Sequence, residues 1–181
     1  MNSTPVSKDL AVVCCFAAIL AAAAALAAQS NASEADKRFV AEALKGDMAE
    51  VQLGQLAEQK GNSDDVRKFG QKMVEDHTRL GDQMKGVAGQ VGVTVPSAVS
   101  PEDRLLKKKL DGLSGNQFDE AYIKAMVEDH EEDVKAFRKE AGTATSSVVK
   151  SAASQGADVM ANHLSMITRI AHAHNIPVRA D

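Results

Sequence analysis

Four stretches of about 25 residues, each with apolar side chains on a helical period and each bounded by capping residues, restrict this chain to a bundle of helices. The first opens at Ser33-Glu34-Ala35-Asp36, a capping-box pattern, and runs to about Lys60, where Gly61-Asn62 stops it. Ser63-Asp64-Asp65 opens the second with acid in the first turn, where the helix dipole favours it, and Gly92 ends it after Val91. Residues 92–99 read as an extended connection, because Pro96 disfavours helix on its N-terminal side. Ser100-Pro101-Glu102-Asp103 starts a short helix that ends near Gly112. Ser114-Gly115-Asn116-Gln117 caps a third long helix, from about Gln117 to Ala141, and Thr143 or Thr145 opens the last, which ends around His174-Asn175 before Pro177.

Short loops join the first two long helices and the last two, so each pair is expected to be antiparallel. A connection of about 25 residues links the pairs and is long enough to travel the length of a bundle. The expected fold is therefore all-α: a ferritin-like up-down four-helix bundle over residues 33–176, with one long crossover that carries a short extra helix. An aromatic content of 3%, with no Trp and a single Tyr, points away from a β-sandwich and agrees.

A separate segment precedes the bundle. Lys8 is followed by an unbroken apolar run from Leu10 to Ala28 that closes on Ala25-Leu26-Ala27, the pattern of a secretory signal peptide over residues 1–28. The run approaches the ~20 residues that span a bilayer, so an uncleaved anchor competes. Its Ala-rich second half is only weakly hydrophobic, which favours cleavage near Ala27 or Ala28 and leaves no stable membrane span. Both cysteines, Cys14 and Cys15, lie in this run behind Val12 and Val13, where a lipoprotein site would need a small residue. The mature chain then has no thiol, and the expected location is the periplasm, with association to the outer membrane as a refinement. With 21 Lys and Arg against 25 Asp and Glu, the net charge of −4 excludes a duplex-tracking basic surface and so nucleic acid as a partner.

The histidines carry the functional signal. Met73-Val74-Glu75-Asp76-His77 on the second helix recurs as Met126-Val127-Glu128-Asp129-His130 on the third, with Phe69 and Tyr122 four residues before each copy. Val66, Met73, Leu80 and Val87 form one core row of the second helix, and Gly70, His77, Met84 and Val91 the complementary row. Tyr122, Met126, His130, Val134 and Phe137 share a face of the third. On the last, Val149, Gly156, His163 and Ile170 align, beside Met160 and Ile167. The first helix offers two competing rows, one through Phe39, Ala43, Gly46, Glu50, Leu53 and Ala57, the other through Val40, Leu44, Asp47 and Val51. Glu50, His77, His130 and His163 all lie near mid-helix, where ~1.5 Å of rise per residue keeps them within one to two turns of a common level.

One imidazole or carboxylate per helix at one level is the arrangement that builds a metal site in a bundle core. The alternative is a hydrogen-bonded polar layer that fixes register in a structural or interaction module. Di-iron carboxylate bundles need Glu three residues before His, and here Val74, Val127 and Met160 stand there, which disfavours ferroxidase chemistry. Three His with Glu50 suit zinc or iron, whereas Met73 and Met126, one turn before His77 and His130, would add soft sulfur ligands suited to copper or else fill the core. Asp76 and Asp129 adjoin core histidines as orienting groups or as partners of nearby Lys and Arg. Arg104 with Lys107-Lys108-Lys109 reads as a solvated basic face, and His172 with His174 as helix-end charges or a remote second metal pair. No nucleophile–base pair or phosphate loop is present, so the expectation is a binding protein and not an enzyme.

Particular segments extend these readings. Glu50-Val51-Gln52-Leu53-Gly54, Val66-Arg67-Lys68-Phe69, the two Met-Val-Glu-Asp-His copies, Leu113-Ser114-Gly115, Phe118-Asp119-Glu120-Ala121-Tyr122 and His163-Leu164 together resemble the bacterial "domain of unknown function 4142" family of exported, predicted outer-membrane proteins. The resemblance covers Phe39 to His163 and implies an exported ferritin-like four-helix domain, with a looser analogy to Met/His-rich copper-handling bundles. It does not imply a β-barrel, since alternating strands are lacking. Metal homeostasis or envelope stress is the role that would follow.

Overall fold

The computed structural model describes residues 32–178 of the chain, so the predicted signal peptide with its predicted cleavage site, and the two cysteines, lie outside the described residues. Five helices follow in order: α1 (Glu34–Lys60), α2 (Asp64–Val91), α3 (Pro101–Asp111), α4 (Gly115–Thr143) and α5 (Ser147–Ala173). Ser33 and Ser100 close full capping boxes with Asp36 and Asp103, and Gly92 takes the left-handed conformation that ends α2.

Cross-helix contacts fix the directions. Asp47 of α1 meets His77 of α2, and Asp76 of α2 meets His163 of α5, while Asp65 near the start of α2 meets His174 past the end of α5. Asp36 near the start of α1 reaches the loop after α4, and Asp119 near the start of α4 reaches the loop after α1. The contacts of Asp65, Asp36 and Asp119 each pair the start of one helix with the end of another, so α2 is antiparallel to α5 and α1 to α4, and with the short α1–α2 loop this makes α2 parallel to α4. Two parallel helices cannot be joined by a tight turn, which is why the crossover carrying α3 must travel the bundle's length.

Those two aspartates also set where helices begin. Asp36 Oδ2 accepts from Thr145 Oγ1 at 2.7 Å and from the Ser146 N–H at 2.8 Å, so the last helix opens with Ser146 as its cap. This corrects the expectation of Thr143 or Thr145: α4 continues to Thr143, and Thr145 is held by α1. At the other end, Asp119 accepts from the Asn62 and Ser63 N–H groups at 2.8 and 2.9 Å, replacing the side-chain cap that Ser63 itself does not make. α4 starts at Gly115, two residues before the predicted Gln117.

The predicted core rows of α2 and α4 are buried throughout, and on α5 all but Ile170 are fully so. The apolar core is divided. One cluster gathers Leu53, Phe69, Met73, Phe118, Tyr122 and Met126, and the other Leu44, Leu80, Met84, Val134, Phe137 and Met160. Between them lies a polar layer of Asp47, Glu50, Asp76, His77, His130 and His163, each at most 5% exposed. Both competing rows of α1 turn inward, so Asp47 and Glu50 are buried together. α1 and α2 approach closely where Gly54 faces Gly70: a Cβ on either would fall 2.7–2.8 Å from the other's carbonyl oxygen.

Candidate metal centre

Each long helix contributes to the polar layer from its middle turns. His77 comes from α2, His130 from α4 and His163 from α5, with ring centroids 5.3–6.1 Å apart. One nitrogen of each ring lies within 4.8 Å of one from each of the others. No other group of three His, Cys, Asp or Glu converges in this way among the described residues. Phe69, with centroids 6.1 Å from His163 and 6.3 Å from His130, packs edge-on against the cluster from the apolar side.

The hydrogen bonds sort the six ring nitrogens into two sets. His130 Nδ1–H donates to the Met126 carbonyl at 2.9 Å, and a carbonyl can only accept, so Nε2 of that ring carries the lone pair. His77 Nδ1 is 3.0 Å from Asp47 Oδ1, and His163 Nε2 is 2.8 Å from Asp76 Oδ2. Asp76 is ionised, so His163 donates there and keeps its lone pair on Nδ1; with Asp47 ionised, as it is above about pH 7, His77 likewise donates and keeps its lone pair on Nε2. These three remaining nitrogens, one per ring, are buried and have no hydrogen-bond partner in the protein. An acceptor bonded to the far nitrogen of each imidazole is the arrangement that orients metal-binding histidines.

Burial sets the electrostatics. It pushes His77 and His130 down to about 4, against which the nearby Asp129 charge works only in part, and it lowers His163 despite the bond to Asp76. The rings are therefore neutral at pH 7, the form that ligates. Burial raises Asp47 to about 7, with Lys85 opposing, and raises Asp133 to about 8, helped by Asp129 and Asp47. Glu50 is held well above the carboxylate range by burial and then by Asp129. Asp76 goes the other way: burial favours its neutral form, but hydrogen bonds from His163 and Lys72 outweigh it. Its second oxygen binds Lys72 Nζ and Arg79 at 3.1 Å each.

The predicted residues are thus partly gathered. His77, His130 and His163 converge, whereas Glu50 shares their layer but lies outside the convergent group. Met73 and Met126 are fully buried in the apolar cluster beside Phe69 and Tyr122, and Met126 contributes its carbonyl to His130. Asp76 both orients a histidine and pairs with Lys and Arg. His174 binds the Asp65 carboxylate at 3.0 Å, and His172 is exposed. Asp133 was not singled out in the sequence, although it stands one turn after Asp129 and three residues after His130 on the same helix.

The chain matches the family model "Domain of unknown function (DUF4142)" over residues 21–170, most of its length. It belongs to the DUF4142 family. No curated protein matches it. Among solved structures, this DUF4142 chain is similar to a DUF305 fragment from Deinococcus radiodurans, with 16% identity, a TM-score of 0.68, and coverage of 77% of this chain and 96% of the other. It is similar to the same degree, TM-score 0.68 and 16% identity, to a DUF305 protein from Streptomyces coelicolor that carries a provisional description as secreted, over 81% of this chain and 98% of that one. At that identity the likeness speaks for the helical fold alone. No helix among the described residues of the DUF4142 chain is long and apolar enough to cross a membrane.

Proposed function

We propose that this chain is an exported, periplasmic helical-bundle protein that binds one transition-metal ion through His77, His130 and His163, in metal homeostasis or envelope stress. The observation that carries the reading is the sorting of ring nitrogens: three are hydrogen-bonded and three are buried without a partner, in rings that each bring a nitrogen within 4.8 Å of the other two. An unpaired buried polar group costs about 1–3 kcal/mol, and three together are better explained by a shared ligand than by packing. A layer built only to fix register would pair its nitrogens with one another's neighbours, as Asp47 and Asp76 do on the outer side.

Three imidazole donors with a free fourth position suit Zn²⁺, Cu²⁺ or Fe²⁺. Met73 and Met126, one turn before His77 and His130, would supply sulfur if the ion is Cu(I). Glu50 is buried in the same layer, outside the group of three histidines. Export rests on the N-terminal signal pattern and on the secreted description of the Streptomyces relative in fold.

The test is elemental analysis of the mature protein, purified without chelator or affinity tag and repeated after zinc, copper and iron loading and dialysis. Near-stoichiometric metal is expected, lost in His77→Leu/His130→Leu. Equal metal content in the variant, or none in the loaded wild type, returns the histidines to a purely structural role.

A further inference from the structure

The two Met-Val-Glu-Asp-His copies lie on parallel helices, α2 and α4, and each sends its histidine into the same layer. α2 packs on α1 and α5, and so does α4, which sets α2 opposite α4 and α1 opposite α5. The layer therefore has an approximate two-fold axis along the bundle that exchanges α2 with α4 and α1 with α5. Ala43, Leu44, Asp47 and Glu50 of α1 repeat the spacing of Gly156, Ala157, Met160 and His163 of α5, and all are buried. The axis thus pairs Glu50 with His163.

The contacts obey that axis. Asp76, in the α2 copy, holds His163 across the α2–α5 seam at 2.8 Å. Asp129, at the same place in the α4 copy, meets Glu50 across the α1–α4 seam, carboxyl to carboxyl. Where α1 offers Asp47 to His77, α5 has Met160, a weak acceptor, and His130 bonds its own helix's Met126 carbonyl instead. Glu50 Oε2 is buried and no N–H or O–H of the protein reaches it, the same condition as the three unpartnered ring nitrogens. Before an ion is bound, that carboxyl stands outside the histidine group, and its three side-chain torsions let it close on an ion held there. We propose that Glu50 is the fourth protein ligand, oriented by Asp129 as His163 is by Asp76, so that three histidines and one glutamate form a closed centre. The inference rests on the histidine site proposed above. With the proton that the pair shares on Asp129, that residue donates to Glu50 and leaves it a carboxylate toward the ion. A closed set of four ligands leaves no position for water or substrate, which marks a site that holds its ion and does not catalyse. The oxygen donor also favours a divalent ion over Cu(I) and leaves Met73 and Met126 to the apolar core.

Co²⁺ loaded into the full mature protein reports its ligands through visible absorption, and azide is a small anion that takes any open position on it. The wild-type spectrum is expected to stay unchanged in azide. Glu50→Ala is expected to bind Co²⁺ roughly 100-fold more weakly, the upper end of what loss of a group that only orients a ligand costs. Its spectrum should shift when azide enters the vacated position. Glu50→Gln keeps the size of the side chain and should lose affinity in the same way, so a folding defect of the alanine variant does not decide the outcome. A wild-type spectrum that shifts in azide, with wild-type affinity in both variants, overturns the fourth ligand and leaves the histidine site standing. Absence of any Co²⁺ absorption in the wild type overturns both.

Discussion

At the scale of single residues, each imidazole of the layer is positioned by one acceptor, and those acceptors differ in kind. The Met126 carbonyl is part of the helix that bears His130 and moves with it. Asp47 and Asp76 lie on other helices from the histidines they hold, so they tie α1 to α2 and α2 to α5 while they fix tautomers. Asp76 is further braced by Lys72 and Arg79. Asp76→Asn keeps the size of the side chain and removes the charge that favours the proton on His163 Nε2. Removal of an acceptor that orients a ligating histidine lowers metal affinity by about 10–100-fold. A chelator-competition titration of Zn²⁺ or Cu²⁺ should show that loss in Asp76→Asn with the helical spectrum unchanged. Unaltered affinity would remove Asp76 from the site.

At the scale of elements, small residues set how near the helices come. The Gly54–Gly70 contact places backbone against backbone, so an added methyl meets a carbonyl oxygen that cannot move aside. Gly156 of α5 is covered by the ring of Phe137 from α4, and a Cβ there would stand 2.3 Å from a ring carbon. Overpacking of this kind costs about 1–3 kcal/mol, so Gly70→Ala and Gly156→Ala should both lower the midpoint of urea unfolding. Gly46→Ala meets no neighbour and, by helix propensity alone, should raise stability by roughly 0.5–1 kcal/mol. The same ordering of the three variants is expected in thermal unfolding, and a neutral Gly70→Ala would mean that the helices separate more readily than their contact distance suggests.

At the scale of the molecule, the buried charges couple stability to pH. In the metal-free chain, Asp47 at about 7, Asp133 at about 8 and Glu50 above the usual range keep protons that the unfolded chain releases near pH 4. The folded state then binds more protons, and stability falls as pH rises toward 8. His77 and His130, lowered to about 4 from 6.5, act oppositely, but only between those two values, where the unfolded chain takes up protons and the folded one does not. Above pH 6.5 the carboxylates act alone. The melting temperature of the metal-free protein should therefore drop between pH 6.5 and 8, by on the order of 1–2 kcal/mol or roughly 3–6 °C. Saturating Zn²⁺ supplies the missing positive charge and should abolish the drop. A melting temperature that rises over this interval without metal would contradict the assignment of those carboxyl groups as neutral.

Sequence alone determined the parts of this protein that depend on neighbours along the chain. Capping residues and a seven-residue apolar repeat specify helices locally, because both act within one or two turns, and the unequal loop lengths specify which helices pair. The inward aim of His77, His130 and His163 follows from the same periodicity. What the tertiary structure decided lies across helices. Asp36 and Asp119 cap loops more than 50 residues away, and no local pattern marks a carboxylate that serves another helix's end. The competition between the two rows of α1 had no local answer, since a helix in a wide seam buries both, and so Asp47 and Glu50 entered the core together. Above all, which nitrogen of each ring is bonded and which is left free depends on an acceptor that packing brings up, on another helix for two of the three. Side-chain spacing along a helix fixes a face, and only the meeting of four faces turns three histidines toward one point.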